Sequence, residues 1–411
     1  MRLQVSLPSY KQMEVELSPK KTAKDLKEVV CRRLGIEPEL TKLLTNGRHL
    51  KDQARLSTVK GTVIIDYLWA RHLLLWGLKG QTRIRNSSIL LAGAGAIGNE
   101  VAKNLAMLGV GKILIVDRDI VEMSNVSRMI FFQENDLGRN KAEILAKNIH
   151  RKYQFVETVA FRGDLESMPL KLYLDSDVIV CGLDNVMSRI FLAQTCRKYS
   201  IPLVDGGITG LNGRVHVYLP PNDACPVCMF PPNQYSKIVG LRNPCDAPLD
   251  QDAVPSFSTT ISLVSSILAQ EAIKLILGID EYRANAKWPE GSGQPLRSVL
   301  FMDLKNNRYT TVDLKRGDKC YVCGKEGTAR EPAQMSEFPF ATIRQPERRL
   351  EETLRLQLKL QSRTLRMLAE TPHGTLPLGK SKFNGIKRGD YLRILAEDKN
   401  GEFHESILRL S

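Results

Sequence analysis

The sequence predicts an α/β chain in three parts: a central domain built on a parallel sheet, with a small α/β module on either side. Three observations carry this. An apolar strand runs into a glycine-rich turn and a helix over residues 89–108, a second apolar strand ends at Asp117, and both chain ends show short alternating strands around one amphipathic helix.

Residues 1–67 form the first module. Leu3, Val5 and Leu7 alternate along one strand and Met13, Val15 and Leu17 along a second, which predicts a hairpin. Thr22 with Asp25 opens a helix whose Leu26, Val29, Val30 and Leu34 make one stripe before Gly35. Asn46-Gly47 marks a tight turn and 62–67 a last strand, giving a ββαββ order.

The central domain opens with Ile89-Leu90-Leu91-Ala92 and the turn Gly93-Ala94-Gly95-Ala96-Ile97-Gly98, followed by Val101, Leu105 and Leu108 at helical spacing. Gly93, Gly95 and Gly98 let backbone approach a phosphate, and the helix N-terminus favours the anion. Asp117 follows the last glycine by 117 − 98 = 19 residues and ends the strand Lys112–Val116, a place from which a carboxylate accepts from ribose hydroxyls. A GxGxxG turn alone is weak evidence, because a dehydrogenase shares it. Arg128 and Lys141, the latter at the start of a helix reaching Ile149, suit charge on a triphosphate better than hydride transfer. The strand Asp177–Cys181 leads into Gly182-Leu183-Asp184-Asn185, making Asp184 a candidate Mg²⁺ ligand at a strand's carboxyl end. The plain alternatives are a solvated Arg/Lys surface and an Asp that caps the next helix.

Eight cysteines, no signal peptide and no uninterrupted apolar run of membrane length argue for a reducing, cytoplasmic compartment and against membrane association. The longest apolar helix, near residues 262–277, is broken by Gln270, Glu271 and Lys274. Cys225-Pro-Val-Cys228 and Cys320-Tyr-Val-Cys323 are two CxxC pairs with 320 − 228 − 1 = 91 residues between them, so a shared tetrahedral Zn²⁺ site must be assembled by the fold. The alternative is two unrelated pairs of free thiols. Cys245 stands in Arg242-Asn243-Pro244-Cys245-Asp246-Ala247-Pro248, an irregular polar stretch where Arg242 favours a thiolate. It is a candidate nucleophile, against a loop thiol of no role. Cys31, Cys181 and Cys196 sit in apolar contexts and read as packing residues.

After Cys323 a polar, proline-containing linker is expected over 326–337, then a second small α/β module over 338–411. Phe338–Arg344 reads as a strand, Leu350, Leu354 and Leu358 as one helix face, and Tyr391–Ala396 and 402–410 as strands around an Asn400-Gly401 turn.

Over residues 68–325 the sequence resembles the ubiquitin-activating enzymes and their bacterial relatives that adenylate sulfur-carrier proteins for molybdopterin and thiazole synthesis. The resemblance is carried by Ala70-Arg71-His72 ahead of Gly80-Gln81, the Gly93–Gly98 turn, Asp117-Arg118-Asp119, Ser124-Asn125-Val126-Ser127-Arg128, Gly138-Arg139-Asn140-Lys141-Ala142 and Asp184-Asn185. Met129 departs from the family's usual Gln. The resemblance implies a Rossmann-like adenylation domain that binds ATP and Mg²⁺, with Asp117 and Asp119 among its nucleotide residues, Asp117 on the ribose. It also implies Asn125, Arg128 and Lys141 on phosphates, Asp184 on Mg²⁺, Arg71 as an arginine finger, and a structural zinc clamp at the four paired cysteines. Cys245, in a loop spanning 229–257, resembles the catalytic-cysteine region, and Phe257-Ser258-Thr259-Thr260 a threonine stretch near the substrate tail.

The first module resembles the ubiquitin β-grasp fold. It runs on into Leu68-Trp69-Ala70 with no terminal Gly-Gly, so recognition or regulation is expected of it rather than activation. The last module, including Gly385-Ile386-Lys387-Arg388-Gly389-Asp390, resembles the ubiquitin-fold domain that recruits a conjugating enzyme. The expected partners are a ubiquitin-like protein ending in Gly-Gly, a conjugating enzyme and a second copy in a homodimer, with Arg71 acting in cis or across the interface. The competing expectations are adenylation of a sulfur carrier without a thioester, and a nucleotide-sensing scaffold without catalysis.

Composition agrees with this reading. The 411 residues leave room for about three domains, and 43% apolar content is enough for buried cores. The net charge of +14 is spread along the chain, with no basic helix of interleaved aromatics, so acidic protein partners are expected rather than nucleic acid. No internal repeat is present.

Overall fold

The computed structural model describes residues 1–7, 11–230, 255–329, 332–344, 347–358, 360, 364–377, 386–397 and 403–411. They fall into two compact units, residues 1–86 with 277–293, and residues 87–276 with 294–411.

In the first unit, β1 (Arg2–Ser6), β2 (Gln12–Glu16), β3 (Thr41–Thr45), β4 (Arg48–His49) and β5 (Val63–Tyr67) form one sheet in the order β2-β1-β5-β3-β4. The first and last strands run parallel, with Val5 opposite Val63. Helix α1 (Ala23–Leu34) begins on the expected capping box: Asp25 accepts the Thr22 N–H at 2.7 Å, and Thr22 accepts the Asp25 N–H at 3.4 Å. Asn46 and Gly47 both take positive φ, the geometry of a two-residue hairpin turn whose twist suits the flanking strands. The compact unit also includes residues 68–86. Trp69 is buried, Arg85 lies 5.1 Å over its ring, and Arg85 also pairs with Glu37 at 3.1 Å, so the end of α2 (Leu73–Arg85) packs on this module.

The second unit holds an eight-stranded sheet. Its strands are β6 (Ser88–Ala92), β7 (Lys112–Val116), β8 (Glu157–Phe161), β9 (Val178–Cys181), β10 (Leu203–Thr209), β11 (Asn212–Tyr218), β12 (Val299–Asp303) and β13 (Arg308–Val312), ordered β13-β12-β11-β10-β9-β6-β7-β8. The five strands from β10 through β9, β6 and β7 to β8 are parallel. Ile89 to Ala92 are wholly buried, as expected where helices cover both faces. Those helices include α3 (Ala96–Leu108), the short α4 (Met123–Val126), α5 (Lys141–Lys152), α6 (Leu170–Leu174), α7 (Val186–Tyr199) and α8 (Ser258–Asn285). β6 sits between β7 and β9, so the chain's direction of winding reverses beside it and opens a crevice at the strands' carboxyl ends.

By length and composition α8 could cross a membrane. Here it is mostly buried on the sheet: glycine is the residue that fits at 206 and 213 because a Cβ there would strike Leu268 and Val264. The charges that break its apolar run are satisfied, since buried Glu271 pairs with Lys274 at 2.6 Å and accepts the Leu296 N–H at 2.7 Å.

The C-terminal module has five strands, β14 (Gln334–Phe338), β15 (Thr364–Thr371), β16 (Gly374–Pro377), β17 (Tyr391–Glu397) and β18 (Phe403–Leu410), with helix α9 (Glu347–Gln357). Its order is β14-β18-β17-β15-β16, and as in the first module its first and last strands are parallel. The strand expected at 338–344 lies instead at 334–338. Pro339 has no N–H to extend the ladder, and 340–344 turn into a 3₁₀ helix. The strand therefore begins inside the expected linker. One sheet face packs on Leu350 and Leu354 of α9, and the other contributes Tyr391 and Ile407 to the central domain's core beside Tyr173 and Tyr199. The Asn400-Gly401 turn and Gly385 lie outside the described residues.

Candidate active site

The crevice beside β6 is lined by the glycine turn. Gly93 takes φ +97°, open only to glycine at low cost, and a Cβ on Gly98 would overlap the Gly93 carbonyl oxygen. A Cβ on Gly95 would meet nothing within 4 Å, so the backbone is bare there toward open space. Gly95 is also the N-cap of α3 and offers no side chain to the first N–H groups of that helix, which fits an anion.

Asp117 holds this turn in place. Its Oδ2 accepts the Ala94 N–H at 2.7 Å and its Oδ1 the Asp119 N–H at 2.8 Å. Burial pushes its pKa up, against the pull of those two N–H groups. Lys141 opens α5 and pairs with Asp119 at 3.2 Å. Between them stands Asn140, which the site reading missed. It caps α5 by accepting the Glu143 N–H at 3.1 Å and donates to the Asp117 and Asp119 carbonyls at 3.0 and 3.1 Å. An Asn just ahead of a helical stripe was the available signal.

The second loop of the crevice follows β9. A Cβ on Gly93 would touch Leu183, and one on Gly182 would touch Ile97, so the two loops are in contact. Asp184 is exposed and makes no hydrogen bond or ion pair with another described residue. It does not cap the next helix: Asn185 does, accepting the Ser188 N–H at 2.8 Å. The loop is braced from below by buried Arg189, which donates to the carbonyls of Leu183 and of Gly206, the latter at 3.0 Å, and pairs with Asp205. Burial would raise the Asp205 pKa, but Arg189 and Arg214 outweigh it and hold the carboxyl below the ordinary range. Nothing in the sequence pattern marks Arg189 as buried.

Asn125 and Arg128 lie on the loop after Asp119. Asn125 is buried; its Oδ1 accepts the Glu122 N–H at 2.9 Å and its Nδ2 points to Ser124 Oγ at 3.3 Å. The Arg128 guanidinium has no polar partner among the described residues. Its segment is fixed three residues on, where Asn99 accepts the Phe131 N–H at 2.9 Å and Asn148 donates to the Phe131 carbonyl at 2.7 Å. Met129, the departure from the resembled family, is simply buried.

The four paired cysteines converge. Their sulfurs all lie within 4.8 Å of one another, with Cys225 3.6 Å from Cys320 and Cys228 3.4 Å from Cys323. Zn–S bonds of about 2.3 Å set tetrahedral sulfurs about 3.8 Å apart, so the cluster fits Zn²⁺. Turns tighten both pairs, with Cys228 N–H to the Cys225 carbonyl and Gly324 N–H to the Cys320 carbonyl, each at 2.9 Å.

The ThiF family model matches residues 69–322, more than half of the chain. This chain belongs to the ThiF family. The Ubiquitin family model matches residues 3–64 of the same chain. Among relatives of this ThiF-family chain, the SAMP-activating enzyme E1 of Haloferax volcanii is 32% identical over 63% of this chain and 89% of its own length. The sulfur carrier protein adenylyltransferase of Thermus thermophilus is 29% identical over 64% of this chain and 91% of its own. The NEDD8-activating enzyme E1 catalytic subunit of Saccharomyces cerevisiae is 37% identical over 34% of this chain and 50% of its own. The crystal structure of E. coli MccB with ATP has a TM-score of 0.50 at 20% identity, covering 63% of this chain and 74% of that one, which bears on the fold alone.

In this ThiF-family chain the fold thus gathers Gly93, Gly95, Gly98, Asp117, Asp119, Lys141 and the loop of Asp184 at one crevice. Arg71 belongs to the first unit and is exposed there. Cys245 and Arg242 lie outside the described residues, as does most of the 229–257 loop. At its end Phe257 is exposed, as is Thr259 after it, whereas Thr260 is buried with its hydroxyl unpartnered among the described residues.

Proposed function

We propose that this chain activates a ubiquitin-like protein in two steps and hands it to a conjugating enzyme. Membership of the ThiF family implies an adenylyltransferase that uses ATP and Mg²⁺. In the first step a C-terminal glycine carboxylate of the partner attacks the α-phosphorus of ATP. The bond to the β-phosphate oxygen breaks and pyrophosphate leaves. The bare Gly95 backbone and the α3 N-terminus receive phosphate, Asp117 faces the ribose, and Arg128 and Lys141 take up charge as it shifts, Lys141 exchanging Asp119 for phosphate oxygen. Asp184 would hold Mg²⁺, which neutralises phosphate charge when bound. In the second step the Cys245 thiolate attacks the acyl carbon, the acyl–phosphate bond breaks, and AMP leaves as the thioester forms.

The observation that carries adenylation is the contact between the glycine turn and the Asp184 loop at the crevice beside β6. What favours a relay over simple adenylation is the five-stranded module after the zinc cluster, read as a docking site for the conjugating enzyme. A homodimer in a reducing cytoplasmic compartment, with Arg71 serving as an arginine finger, completes the reading. The coverage of the Thermus enzyme favours the alternative, a sulfur-carrier adenylyltransferase without a thioester.

Incubation with ATP, Mg²⁺ and a ubiquitin-like protein ending in Gly-Gly decides between them. A DTT-sensitive adduct on a non-reducing gel supports the relay. Pyrophosphate exchange without any adduct hands the assignment to the alternative.

A further inference from the structure

We propose that the C-terminal module is a fixed arm, clamped on the central domain by two partly buried charge clusters, rather than a domain that swings on its linker. Motion is the ordinary expectation for modules joined by a short connection. Four features of the second unit oppose it.

The connection itself is pinned. The Arg197 Nε donates to the Ala329 carbonyl at 3.0 Å, and the Ala333 N–H donates to the Lys198 carbonyl at 2.7 Å, so the chain leaving the zinc cluster is tied at both points to the end of α7.

The first charge cluster centres on Lys171 of α6. Its Nζ donates to the Gly389 carbonyl at 2.6 Å, pairs with Asp175 at 3.0 Å, approaches Asp390 at 3.7 Å and lies 5.1 Å over the Tyr391 ring. The Tyr391 hydroxyl returns the contact, donating to Asp175 at 3.0 Å.

The second centres on Glu405 of β18. Its carboxylate accepts from the Tyr199 hydroxyl at 2.9 Å and from Arg393 Nη2 at 3.4 Å, and pairs with Lys198. Arg393 in turn lies 3.6 Å from Glu370, which is fully buried.

The fourth feature is apolar: Tyr391 and Ile407 enter the core beside Tyr173 and Tyr199. Burial of that surface supplies attraction, and the charges supply orientation. Lys171 and Glu405 each find partners from both sides of the interface, and a shift of one residue along β17 or β18 would separate them from those partners. The functional consequence rests on the proposed docking role: a conjugating enzyme must come to a surface already presented, on the α9 side or an edge strand, because the face toward α6 and α7 is covered.

The test is hydrogen exchange and small-angle scattering on the full chain, wild type against the Lys171→Met/Glu405→Gln double variant. Wild type should give one arrangement whose scattering does not change between low and high salt, since partly buried pairs are weakly screened. In the double variant, amides of α6 and of residues 332–333 should exchange on the order of tenfold faster and the maximum dimension should grow. Wild-type scattering that requires several arrangements overturns the fixed arm, as does a variant indistinguishable from wild type. If the double variant does not fold, Tyr391→Phe removes only the hydroxyl on Asp175. Faster exchange at α6 then supports the clamp and unchanged exchange rejects it. Neither readout needs ATP or a partner protein, so its failure is separate from failure of the activating function.

Discussion

The Asp117 carboxylate accepts the Ala94 N–H at 2.7 Å, which ties the end of β7 to the turn after β6 and fixes where the bare Gly95 backbone faces. Two glycine replacements separate fold from ligand there. Gly98→Ala drives a methyl into the Gly93 carbonyl and should cost about 3 kcal/mol or more, seen as a lower melting temperature. Gly95→Ala meets nothing, so the melting temperature should hold while calorimetry shows ATP binding weakened about tenfold or more, on the reading that phosphate rests on that backbone. Equal ATP affinity in wild type and Gly95→Ala would move the phosphates elsewhere.

At Asp184 the expected effect is on chemistry alone. The carboxylate is exposed and makes no hydrogen bond or ion pair with another described residue, only its charge reaching Arg189, so Asp184→Ala should fold as wild type does. ATP–pyrophosphate exchange should drop by more than about tenfold because phosphate charge is left unneutralised. Exchange close to wild type would remove Asp184 from the metal site.

The cysteine cluster predicts one Zn²⁺ per chain by metal analysis of carefully purified protein. Cys320→Ser should lose metal and thermal stability together, because binding free energy at such a site is folding free energy. Zinc-free protein with unchanged stability would leave the cluster a group of thiols.

Cys245→Ala should keep pyrophosphate exchange near wild type and abolish the DTT-sensitive adduct. A persisting adduct assigns the nucleophile to another cysteine. Removal of residues 338–411 is a poor companion test, since it uncovers the Tyr173 and Tyr199 surface that Tyr391 and Ile407 cover, and a loss of solubility is the expected result.

Local chemistry made much of this legible. The glycine turn, Asp117 at its strand end, the Thr22 capping box and the Asn46-Gly47 hairpin are each set by residues a few positions apart, and each stands where periodicity puts it. What escaped depends on distant neighbours. Arg189 reads as a surface residue of a helix until the fold brings Asp205 and the Leu183 carbonyl to it. The strand at 334–338 is mostly exposed and carries little alternation, so only its pairing with β18 reveals it. The Lys171 and Glu405 clusters likewise join residues more than two hundred positions apart.

The cysteine cluster would have a topological consequence on binding zinc. Cys228 and Cys320 enclose 320 − 228 − 1 = 91 residues, among them Cys245, α8 and the strands β12 and β13. Joining the ends of so long a stretch turns an open segment into a ring, and in the chain-entropy picture closure at that length is worth about 4–5 kcal/mol. The ring's first residues after Cys228 lead directly into the stretch that carries Cys245, so a bound metal would anchor the near root of that stretch. A chelator would thus lengthen the effective tether of Cys245, the proposed nucleophile, while leaving the glycine turn, which lies outside the ring, untouched.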